Sequence, residues 1–395
     1  MSEFNILYFA FVSDSFGGVE QKIIGQFDAL IEIHSQTHLY LVSTNKPKDI
    51  FLDQIHKRAN IHSLTNTIVN NPLKRRLEKF RMIEDVIKKY KVANTVIYLR
   101  YPGADLLFYN FLKNVSSYKI VTEHQEIENK LRIGKFTGNY WSDIMDFLYG
   151  KKIRNLIHGF VGVSSQYLDN QISYLSNFKK KKIPKLVNGN GIEVSKYRLR
   201  QPPVFDGRLL KILFVGGLYK SHGMHRLIEG LLKHDKYLRD NQLKVEVHIA
   251  GVSRVNSYLR KYENNKHDNH IVLYHGFLSM GELDILMNKC HIAINSLSLH
   301  RIGLVVTSTL KSREYFARGI PFVTASEDND FSSDNFFIHR ILSDESPVII
   351  SELFQFTERI YSINDYSDKM REYADNFLDW KHKMEKLNIF LKSLV

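Results

Sequence analysis

The sequence is almost free of cysteine: Cys290 is the only one among 395 residues. A disulfide within the chain is therefore impossible, and a zinc site built from several cysteines is excluded. This composition is typical of proteins that fold in a reducing cytosol, so we expect a cytoplasmic location. Cys290 lies between an apolar helical segment and a strand, and we interpret it as a small buried hydrophobe rather than a nucleophile.

Long apolar runs, short repeats and low-complexity tracts are also lacking. No apolar run approaches the roughly 20 residues that a membrane-spanning helix needs. The apolar segment 4–12 lacks a basic leader and meets Asp14 at once, so it is interpreted as a core strand and not as a signal peptide. A hydrophobic fraction of 44% and a charged fraction of 25% are those of an ordinary globular protein.

Positive charge, by contrast, is in excess: 55 basic and 42 acidic residues give a formal charge of +13. Such an excess attracts phosphates, whether in nucleic acid, anionic lipid or a diphosphate ligand. Segment 73–90 has apolar residues at helical spacing and a basic outer face, which fits either a helix at an anionic membrane or a core helix with a solvated surface. No RNA-binding motif or DNA-reading helix is found, so no nucleic acid partner is expected.

Short apolar runs alternate with helical patterns along the whole chain. Many of these runs are apolar on both faces, as the strands of a buried parallel sheet must be, and the helices between them indicate βαβ crossovers. The sequence therefore predicts a doubly wound α/β fold. The predicted strands are 4–10, 38–43, 95–100, 118–122, 159–163, 211–216, 244–250, 271–275, 291–295 and 321–325.

This pattern restarts in the middle of the chain, which is long enough for two domains. The polar, proline-bearing stretch 196–210 is interpreted as a linker. We predict one Rossmann-like domain over 1–195 and a second over 211–370. The segment 371–395, which contains Trp380, is predicted to be a helix that packs back across the domain junction.

Two glycine pairs follow predicted strands. Gly17 and Gly18 precede a helix, and Gly216 and Gly217 precede the helix that begins near His222. Glycines at a strand-to-helix turn let backbone N–H groups approach a ligand, and the helix start favours an anion. The alternatives, a tight structural turn for the glycines and a capping or packing role for His222, stay open.

The segment 300–321 carries the most information. Ser308 is a favourable N-cap and Gly319 stands where a helix ends, which predicts a helix over 309–318. Lys311 in its first turn opposes the helix dipole and so suggests an anionic partner, such as a phosphate held by the helix N–H groups. Glu314, one turn further along, could accept hydrogen bonds from ribose hydroxyls or pair with Lys311.

Taken in order, these features resemble the retaining family 4 glycosyltransferases of the GT-B fold, over nearly the whole chain. The variant with His222 followed by glycine, and with Glu314 between Arg313 and Tyr315, is similar to bacterial enzymes that build capsule, exopolysaccharide or lipopolysaccharide glycans. The matching segments are Gly17-Gly18, 188–192, 214–216, 249–251 and Glu314 seven residues before Pro321.

This resemblance implies two Rossmann-like domains that face a central cleft, with the acceptor in the first domain and the nucleotide-sugar in the second. It implies a retaining, hexosyl-type glycosyltransferase that moves a sugar from a nucleotide-sugar to a glycan or lipid-linked acceptor, with peripheral contact to the inner face of the plasma membrane. No cofactor or metal is expected, because helix N–H groups and fixed cations can stabilise the departing diphosphate.

The resemblance also assigns residues to roles. Glu123, His124 and Glu314 are expected to act in catalysis. Arg100 is expected to bind an anionic group of the acceptor, with a surface ion pair as the alternative. The residues expected to bind the donor are Gly17, Gly18, Gly216, Gly217, His222, Arg301, Ser308, Thr309, Leu310, Lys311 and Glu314.

Three positions depart from the family's pattern. Gly217 stands where the family has an arginine, His222 where it has a lysine, and Val306 where it has a first glutamate that binds sugar hydroxyls. The donor sugar is then unusual, another residue substitutes for the glutamate, or the chain is inactive. The cations that could replace the missing ones are Lys220, Arg301 and Lys311.

Other functions stay open beside glycosyl transfer. A GT-B epimerase would isomerise a nucleotide-sugar without an acceptor, and a phosphorylase would need inorganic phosphate. A non-catalytic binder of a nucleotide-sugar, a membrane or nucleic acid would agree with Val306 and with the basic charge. The acidic cluster 327–330 is interpreted as a solvated turn rather than a metal site.

Overall fold

The computed structural model of the chain describes residues 4–13, 17–43, 53, 55, 57–65, 71–127, 140–251 and 267–395. The chain divides into two units, which we call the first and the second domain. The first domain comprises Met1–Gly191 and Trp380–Val395, and the second comprises Ile192–Asp379.

Each domain is built on one parallel sheet. The first sheet has the strand order β3-β2-β1-β4-β5-β6-β7 and the second has the order β10-β9-β8-β11-β12-β13. The strands are β1 (Asn5–Phe11), β2 (Thr37–Ser43), β3 (Ile61–Thr65), β4 (Thr95–Arg100), β5 (Lys119–His124), β6 (Gly159–Gly162), β7 (Lys185–Val187), β8 (Leu209–Val215), β9 (Lys244–Ala250), β10 (His270–Gly276), β11 (Ile292–Ile294), β12 (Phe322–Thr324) and β13 (Ile338–Arg340).

Helices connect the strands within each sheet. Short 3₁₀ turns occur at Val92–Asn94, Val194–Lys196, Lys220–His222 and Leu299–Ile302, and a π turn at Ala374–Leu378. The α-helices are α1 (Gly18–Ile33), α2 (Pro72–Ile87), α3 (Leu106–Asn114), α4 (Tyr140–Arg154), α5 (Ser165–Ile172), α6 (Asn177–Lys182), α7 (Met224–Lys233), α8 (Asp235–Asp240), α9 (Met280–Met287), α10 (Leu310–Arg318), α11 (Ile350–Tyr361), α12 (Tyr366–Tyr373) and α13 (Trp380–Lys392).

The predicted fold class, α/β with two Rossmann-like doubly wound domains, is confirmed. Each predicted strand corresponds to an observed one, because these strands carry apolar residues that are buried in the two sheets. The three strands that were not predicted, β3, β7 and β13, lie at sheet edges. β7 has only three residues and is half exposed, so its sequence lacks the apolar signature of a buried strand.

The strand order reverses once in each sheet. The reversal lies between β1 and β4 in the first sheet and between β8 and β11 in the second. At such a switch point the loops that leave two neighbouring strands diverge to opposite faces, which opens a crevice at the carboxyl ends of the strands. Each domain therefore has one place where a ligand site is expected from topology alone.

The stretch that was predicted to be a linker lies within the second domain. Arg200 is buried, and its guanidinium donates to the carbonyl oxygens of Gly319, Cys290 and His291 and to the hydroxyl of Tyr366. These bonds fix the stretch to the domain that follows it, and the boundary between the units falls at Gly191.

The C-terminal helix α13 returns to the first domain, where it packs against α1. The indole of Trp380 lies so close to Gly25 and Gly191 that a Cβ at either position would stand within 2.7 Å of its ring atoms. Asn188 also donates from its side chain to the carbonyl oxygen of Lys383 at 3.0 Å. The helix is thus part of the core of the first domain.

A search of the described helices for one long and apolar enough to cross a membrane found none.

Candidate functional site

The start of α10 is organised by a threonine cap. The hydroxyl of Thr309 accepts a hydrogen bond from the backbone N–H of Ser312 at 3.3 Å. Thr309, and not the predicted Ser308, is therefore the N-cap. The predicted end is confirmed, because Gly319 has the left-handed φ of 73° that favours glycine at this position. The cap leaves N–H groups of the first turn for another acceptor.

Lys311 lies in that first turn and points towards the switch point of the second sheet. Its ammonium donates to the carbonyl oxygen of Asn295 at 3.2 Å and stands 5.2 Å from the ring centre of Phe214. Burial lowers the pKa of Lys311 to about 8, although the nearby Glu314 carboxylate acts in the opposite direction. The ammonium is therefore still charged at neutral pH, and the oxygen it binds is a neutral carbonyl.

Glu314 lies one turn further along α10 and is electrostatically coupled to Lys311. Burial raises the pKa of Glu314 to about 7, against the effect of the Lys311 ammonium. A carboxyl group that titrates near neutrality can both accept and donate a hydrogen bond, which suits it to bind hydroxyl groups. Lys311 and Glu314 thus place a cation, which can bind an anion, and a carboxyl group, which can bind hydroxyls, on one helix.

His222 faces the same place from the loop after β8. Its Nδ1 is hydrogen-bonded to the carbonyl oxygen of Gly217. Burial and the charge of Lys311 lower the pKa of His222, and the bond to Gly217 opposes this only in part. The imidazole is consequently neutral near pH 7, with Nε2 as its remaining hydrogen-bonding atom.

Different constraints favour glycine at two positions of this loop. Gly216 has a φ of 121°, which other residues rarely adopt. Gly223, with a φ of 74°, backs directly onto Leu297 and Ser298, where a Cβ would come within 2.7 Å of side-chain atoms. The loop after β8 is therefore held close to the loop after β11, and both frame the crevice of the second sheet.

Most predicted donor-binding residues of the second domain thus meet at its switch point. They are Gly216, Gly217, His222, Thr309, Leu310, Lys311 and Glu314. Ser308 is buried directly ahead of the cap. Helix N–H groups and one charged ammonium at the carboxyl ends of parallel strands form an arrangement that can bind a phosphate or diphosphate.

Arg301 is engaged elsewhere. Its Nε donates to the Glu345 carboxylate at 2.7 Å, and His300 contacts the same carboxylate at 2.6 Å. The hydrogen bond from Arg301 leads the causes that hold the pKa of Glu345 far below its usual range. The charge of Arg301 is therefore already balanced by a local ion pair, and its predicted role at the donor remains a prediction.

Val306 has an acidic neighbour. It forms an isolated parallel bridge with Glu327, and two backbone hydrogen bonds flank the bridge, from Thr307 N to Glu327 O at 2.9 Å and from Glu327 N to Val305 O at 2.8 Å. Bridged residues of parallel segments present their side chains on the same side. The exposed side chain of Glu327 is therefore available beside the position where the resembled family carries a glutamate.

The sequence suggested a solvated turn for the acidic cluster 327–330, and this is only partly correct, because Glu327 and Asn329 are exposed whereas Asp328 and Asp330 are half-buried. Asp328 and Asp330 both pair with the guanidinium of Arg313, which is fully buried. The partner lies on α10, so the signal was not local in sequence. The cluster holds this loop against the helix that carries Lys311 and Glu314.

In the first domain, the predicted glycine turn leads into α1, and residues 14–16 of this turn lie outside the described residues. Gly17 is the N-cap, and its N–H donates to the carboxylate of Glu20 at 3.0 Å. Burial raises the pKa of Glu20, but hydrogen bonds from its own N–H and from Ser13 and Gly17 outweigh this and lower it. At Gly18 no described atom lies within 4 Å of a Cβ position, so a ligand could approach the backbone there.

Glu123 and His124 end β5 but have different surroundings. Glu123 is buried and accepts from the side-chain amide of Gln26 at 2.8 Å. The ring of His124 is completely buried, and its Nε2 contacts the hydroxyl of Thr122 at 2.9 Å. Direct contact between His124 and a sugar would require the ring to leave this position.

A cavity of about 860 Å³, which we call the first-domain cavity, opens at the carboxyl ends of β1, β4 and β5. Arg100, predicted to bind the acceptor, lines it together with Glu123. Nη1 of Arg100 is buried without a hydrogen-bond partner among the described residues. The surface ion pair considered as its alternative is not found within that part of the chain.

The fold is similar to those of several known structures. A sucrose-phosphate synthase from Thermosynechococcus elongatus is similar with a TM-score of 0.63 and 11% identity, over 99% of each chain. The lipopolysaccharide outer core galactosyltransferase WaaB gives 0.63 and 13%, over 99% of this chain and 100% of its own. The chain has the GT-B fold.

Another GT-B neighbour was solved with ligands. The pneumococcal O-GlcNAc transferase GtfA in complex with UDP and GlcNAc is similar with a TM-score of 0.59 and 11% identity, over 100% of this chain and 99% of that one. Identities this low establish the fold only. No protein-family model and no curated protein sequence matches the chain.

Two parts of the GT-B chain's candidate sites were not predicted from sequence. Asn295 joins the switch point to α10 through its carbonyl oxygen, which binds Lys311, and through its side chain, which binds the Thr309 hydroxyl at 3.0 Å. Its place at the end of a predicted strand was the available signal. Arg75 and Lys79 on α2 line the first-domain cavity, whereas the sequence offered only a basic outer face.

A group of potential metal ligands lies away from both switch points. One ligand atom from each of Asp235, His267 and His270 lies within 4.8 Å of the others, at the start of β10. Burial lowers the pKa of His270 to about 4, so its imidazole is neutral at pH 7. The expectation that the reaction needs no metal is not tested by this group and stays a prediction.

Proposed function

We propose that this chain is a glycosyltransferase that moves a sugar from a nucleotide-sugar to a glycan or lipid-linked acceptor with retention of configuration. One observation carries the proposal: Lys311, Glu314, His222 and the N-terminus of α10 converge at the switch point of the second sheet. The GT-B neighbours that are named as glycosyltransferases support it.

The donor is bound in the second domain. Its diphosphate accepts hydrogen bonds from the first-turn N–H groups of α10 and from the ammonium of Lys311, which in the free protein donates to the carbonyl oxygen of Asn295. Glu314 accepts hydrogen bonds from ribose hydroxyls. His222, being neutral, acts as a hydrogen-bonding group on the phosphate or the sugar rather than as a cation.

The chemistry proceeds on one face of the sugar. The bond between the anomeric carbon and a diphosphate oxygen breaks, the acceptor oxygen bonds to the anomeric carbon, and the acceptor's proton passes to an oxygen of the departing nucleotide diphosphate. The protein contributes by stabilising the charge that develops on this leaving group with donors already fixed in place. An enzymic nucleophile is not needed.

Contact with an anionic membrane is proposed through α4. This helix has the reverse of the usual burial pattern, which we call inverted. Its acidic residues Asp143 and Asp146 are buried at 2% exposure, whereas the aromatic residues Trp141 and Phe147 are 67% and 83% exposed. Ile144 and Leu148 extend the exposed apolar face, and the exposed Lys151 and Lys152 follow it. Aromatic and aliphatic side chains beside lysines are the composition that binds the interface of an anionic bilayer. The pathway is then capsule, exopolysaccharide or lipopolysaccharide synthesis, in which acceptors are membrane-bound.

The test begins with donor binding and ends with transfer. UDP-, GDP- and dTDP-sugars are screened for thermal stabilisation, which a tightly bound ligand must produce. Nucleotide release is then measured with and without candidate acceptors, for the wild type and for Glu314→Gln. Acceptor-dependent release that falls at least tenfold in the variant supports the proposal. Isomerisation without an acceptor, or dependence on inorganic phosphate, would instead identify an epimerase or a phosphorylase, and binding without turnover would identify a non-catalytic binder.

A further inference from the structure

The first-domain cavity has two chemically different walls. Its cations come from α2 and from the end of β4, namely Arg75, Arg76, Lys79 and Arg100. Its carboxylate and amide groups come from the end of β5, the residues that follow it and α4, namely Glu123, Gln125, Glu126 and Asp146. We call the first set the basic wall and the second set the carboxylate wall, and the two adjoin where Arg100 and Glu123 are register partners at the ends of β4 and β5.

Two of the arginines in the basic wall form no ion pair within the part of the chain that the structure describes. Arg76 is fixed by Asp105 and by the carbonyl oxygens of Pro102 and Gly103, each at 3.1 Å. Arg75 and Arg100 form no ion pair with a described carboxylate, and Nη1 of Arg100 is buried without a described partner.

Helix α2 places two cations at the first-domain cavity. Arg75 and Lys79 are four residues apart, so their side chains lie on one face of the helix, and both line the cavity. Together with Arg100 they surround a space at the carboxyl end of β4. Several cations around one space suit a phosphate group, whose oxygens can accept from more than one cation, better than a carboxylate, for which one arginine would suffice.

The carboxylate wall suits sugar hydroxyls. Glu123 accepts hydrogen bonds from two neutral donors, the amide of Gln26 and the hydroxyl of Tyr8. Glu126 is exposed at the cavity. Carboxylates and amides accept hydrogen bonds from hydroxyl groups, and the volume of about 860 Å³ lies within the roughly 300–1,000 Å³ of small-molecule sites.

From these observations we infer that the first-domain cavity binds a phosphorylated sugar. The phosphate lies against Arg75, Lys79 and Arg100, and the sugar hydroxyls lie against Glu123 and Glu126. That the cavity binds a phosphorylated sugar is independent of the proposed function. Its role as the acceptor rests on the proposed function: if the chain transfers sugars, this phosphorylated sugar receives the transferred unit. The phosphate belongs either to a free sugar phosphate or to a sugar joined to a lipid through phosphate.

The experiment measures binding of three probes by calorimetry, without any donor. The probes are glucose 1-phosphate, its octyl phosphodiester and octyl glucoside, with inorganic phosphate as a fourth titration. Binding of the phosphate-bearing probes but not of octyl glucoside is expected, and a preference for the monoester or the diester identifies a free or a lipid-linked source. Arg75→Gln and Arg100→Gln should each weaken the phosphate probes at least tenfold, because hydrogen bonds to charged groups are worth about 1.5–3 kcal/mol.

Matched controls separate this cavity from the phosphate site of the second domain. Arg81→Gln changes an arginine of the same helix that pairs with Glu78 and does not line the cavity, and it should bind the probes as the wild type does. Lys311→Met should also retain probe binding. The inference is overturned if no phosphate probe binds, if Arg75→Gln and Arg100→Gln bind like Arg81→Gln, or if only Lys311→Met loses binding. The last result would overturn the inference about the cavity but not the proposed function. If the probes bind but no nucleotide-sugar does, the proposed function fails and the inference about the cavity holds.

Discussion

The ammonium of Lys311 lies 3.2 Å from the carbonyl oxygen of Asn295, which joins the first turn of α10 to the loop after β11. A lysine at a helix start is unfavourable, since the dipole there is positive. Burial adds to this cost and lowers the pKa of Lys311 to about 8. Apart from the Glu314 carboxyl, whose own pKa is raised to about 7, the contacts described for this half-buried ammonium are with a neutral oxygen and an aromatic ring. A bound diphosphate would supply the negative charge that this ammonium lacks.

Replacing this cation should therefore stabilise the protein and abolish donor binding at once. Lys311→Met keeps a similar volume beside Phe214 and removes the charge. We expect the free energy of unfolding at pH 7 to rise by about 1–3 kcal/mol, the scale set by the depressed pKa. We also expect the thermal stabilisation by nucleotide-sugars to disappear. Lys236→Met, on the exposed side of α8, is the control, and a Lys311→Met variant that keeps its donor affinity would contradict the role of this ammonium.

The pH dependence of donor affinity follows from the same group. A diphosphate binds the protonated form of Lys311, so affinity should be highest below its pKa of about 8 and fall as the pH rises through that value. Stability of the free protein should change in the opposite sense: above about pH 8 the unfolded chain holds the proton more tightly, so the unfolding free energy rises with pH until the ordinary lysine pKa is reached. Calorimetric titrations of UDP between neutral and alkaline pH measure the first effect. If the affinity for UDP falls equally steeply with pH in Lys311→Met, another titrating group causes the pH dependence.

Features of the structure could be predicted from the sequence where they depend on residues that are close together in the chain. Helix α10 was placed almost correctly because its cap and Gly319 act within a few residues, and a buried strand such as β1 carries a long apolar run. Edge strand β7 was missed because its residues are half exposed. Asp328 was taken for a solvated residue because its partner Arg313 is set by tertiary packing, and the partner of Arg301, Glu345, was invisible for the same reason.

The contact between Trp380 and Gly25 makes a prediction about the first domain. A Cβ at Gly25 would stand 2.7 Å from Nε1 and 3.0 Å from Cδ1 of the indole, which is held in the core and cannot move aside freely. Gly25→Ala should lower the unfolding free energy by about 1–3 kcal/mol through overpacking. In a Trp141→Phe background Trp380 is the sole tryptophan, so its fluorescence reports the unfolding of this domain.

Gly18→Ala is the matched control for Gly25→Ala. It lies at the start of the same helix, with no described atom within 4 Å of its Cβ position, and should leave stability nearly unchanged. If both alanine variants unfold at the same denaturant concentration, the tight packing of α13 on α1 is not what limits the stability of this domain.

The inverted helix α4 predicts binding to anionic vesicles. Trp141→Gln combined with Phe147→Gln should reduce co-sedimentation with vesicles of phosphatidylglycerol and phosphatidylcholine severalfold, because both aromatic rings leave the interface. Binding of the wild type should weaken with salt, since Lys151 and Lys152 act through charge. Phe277→Gln removes an apolar residue of the second domain that is 75% exposed and should bind as the wild type does. Equal binding by all variants would exclude α4 as the membrane face.

The bridge between Val306 and Glu327 leads to the last prediction. The resembled family binds sugar hydroxyls with a glutamate where this chain has Val306, and Glu327 is the acidic residue that the fold brings beside it. If Glu327 supplies the missing carboxylate, Glu327→Gln should lower kcat/KM for the nucleotide-sugar by about tenfold to a hundredfold, the effect of losing a hydrogen bond to a charged group. The stabilisation by UDP alone should be unchanged, because UDP lacks the sugar. Glu372→Gln, at an exposed position of α12, is the control. If Glu327→Gln weakens the binding of UDP and of the nucleotide-sugar equally, Glu327 acts on the nucleotide or the loop and not on the sugar. In that case the double variant Val306→Glu with Glu327→Gln should fail to restore transfer.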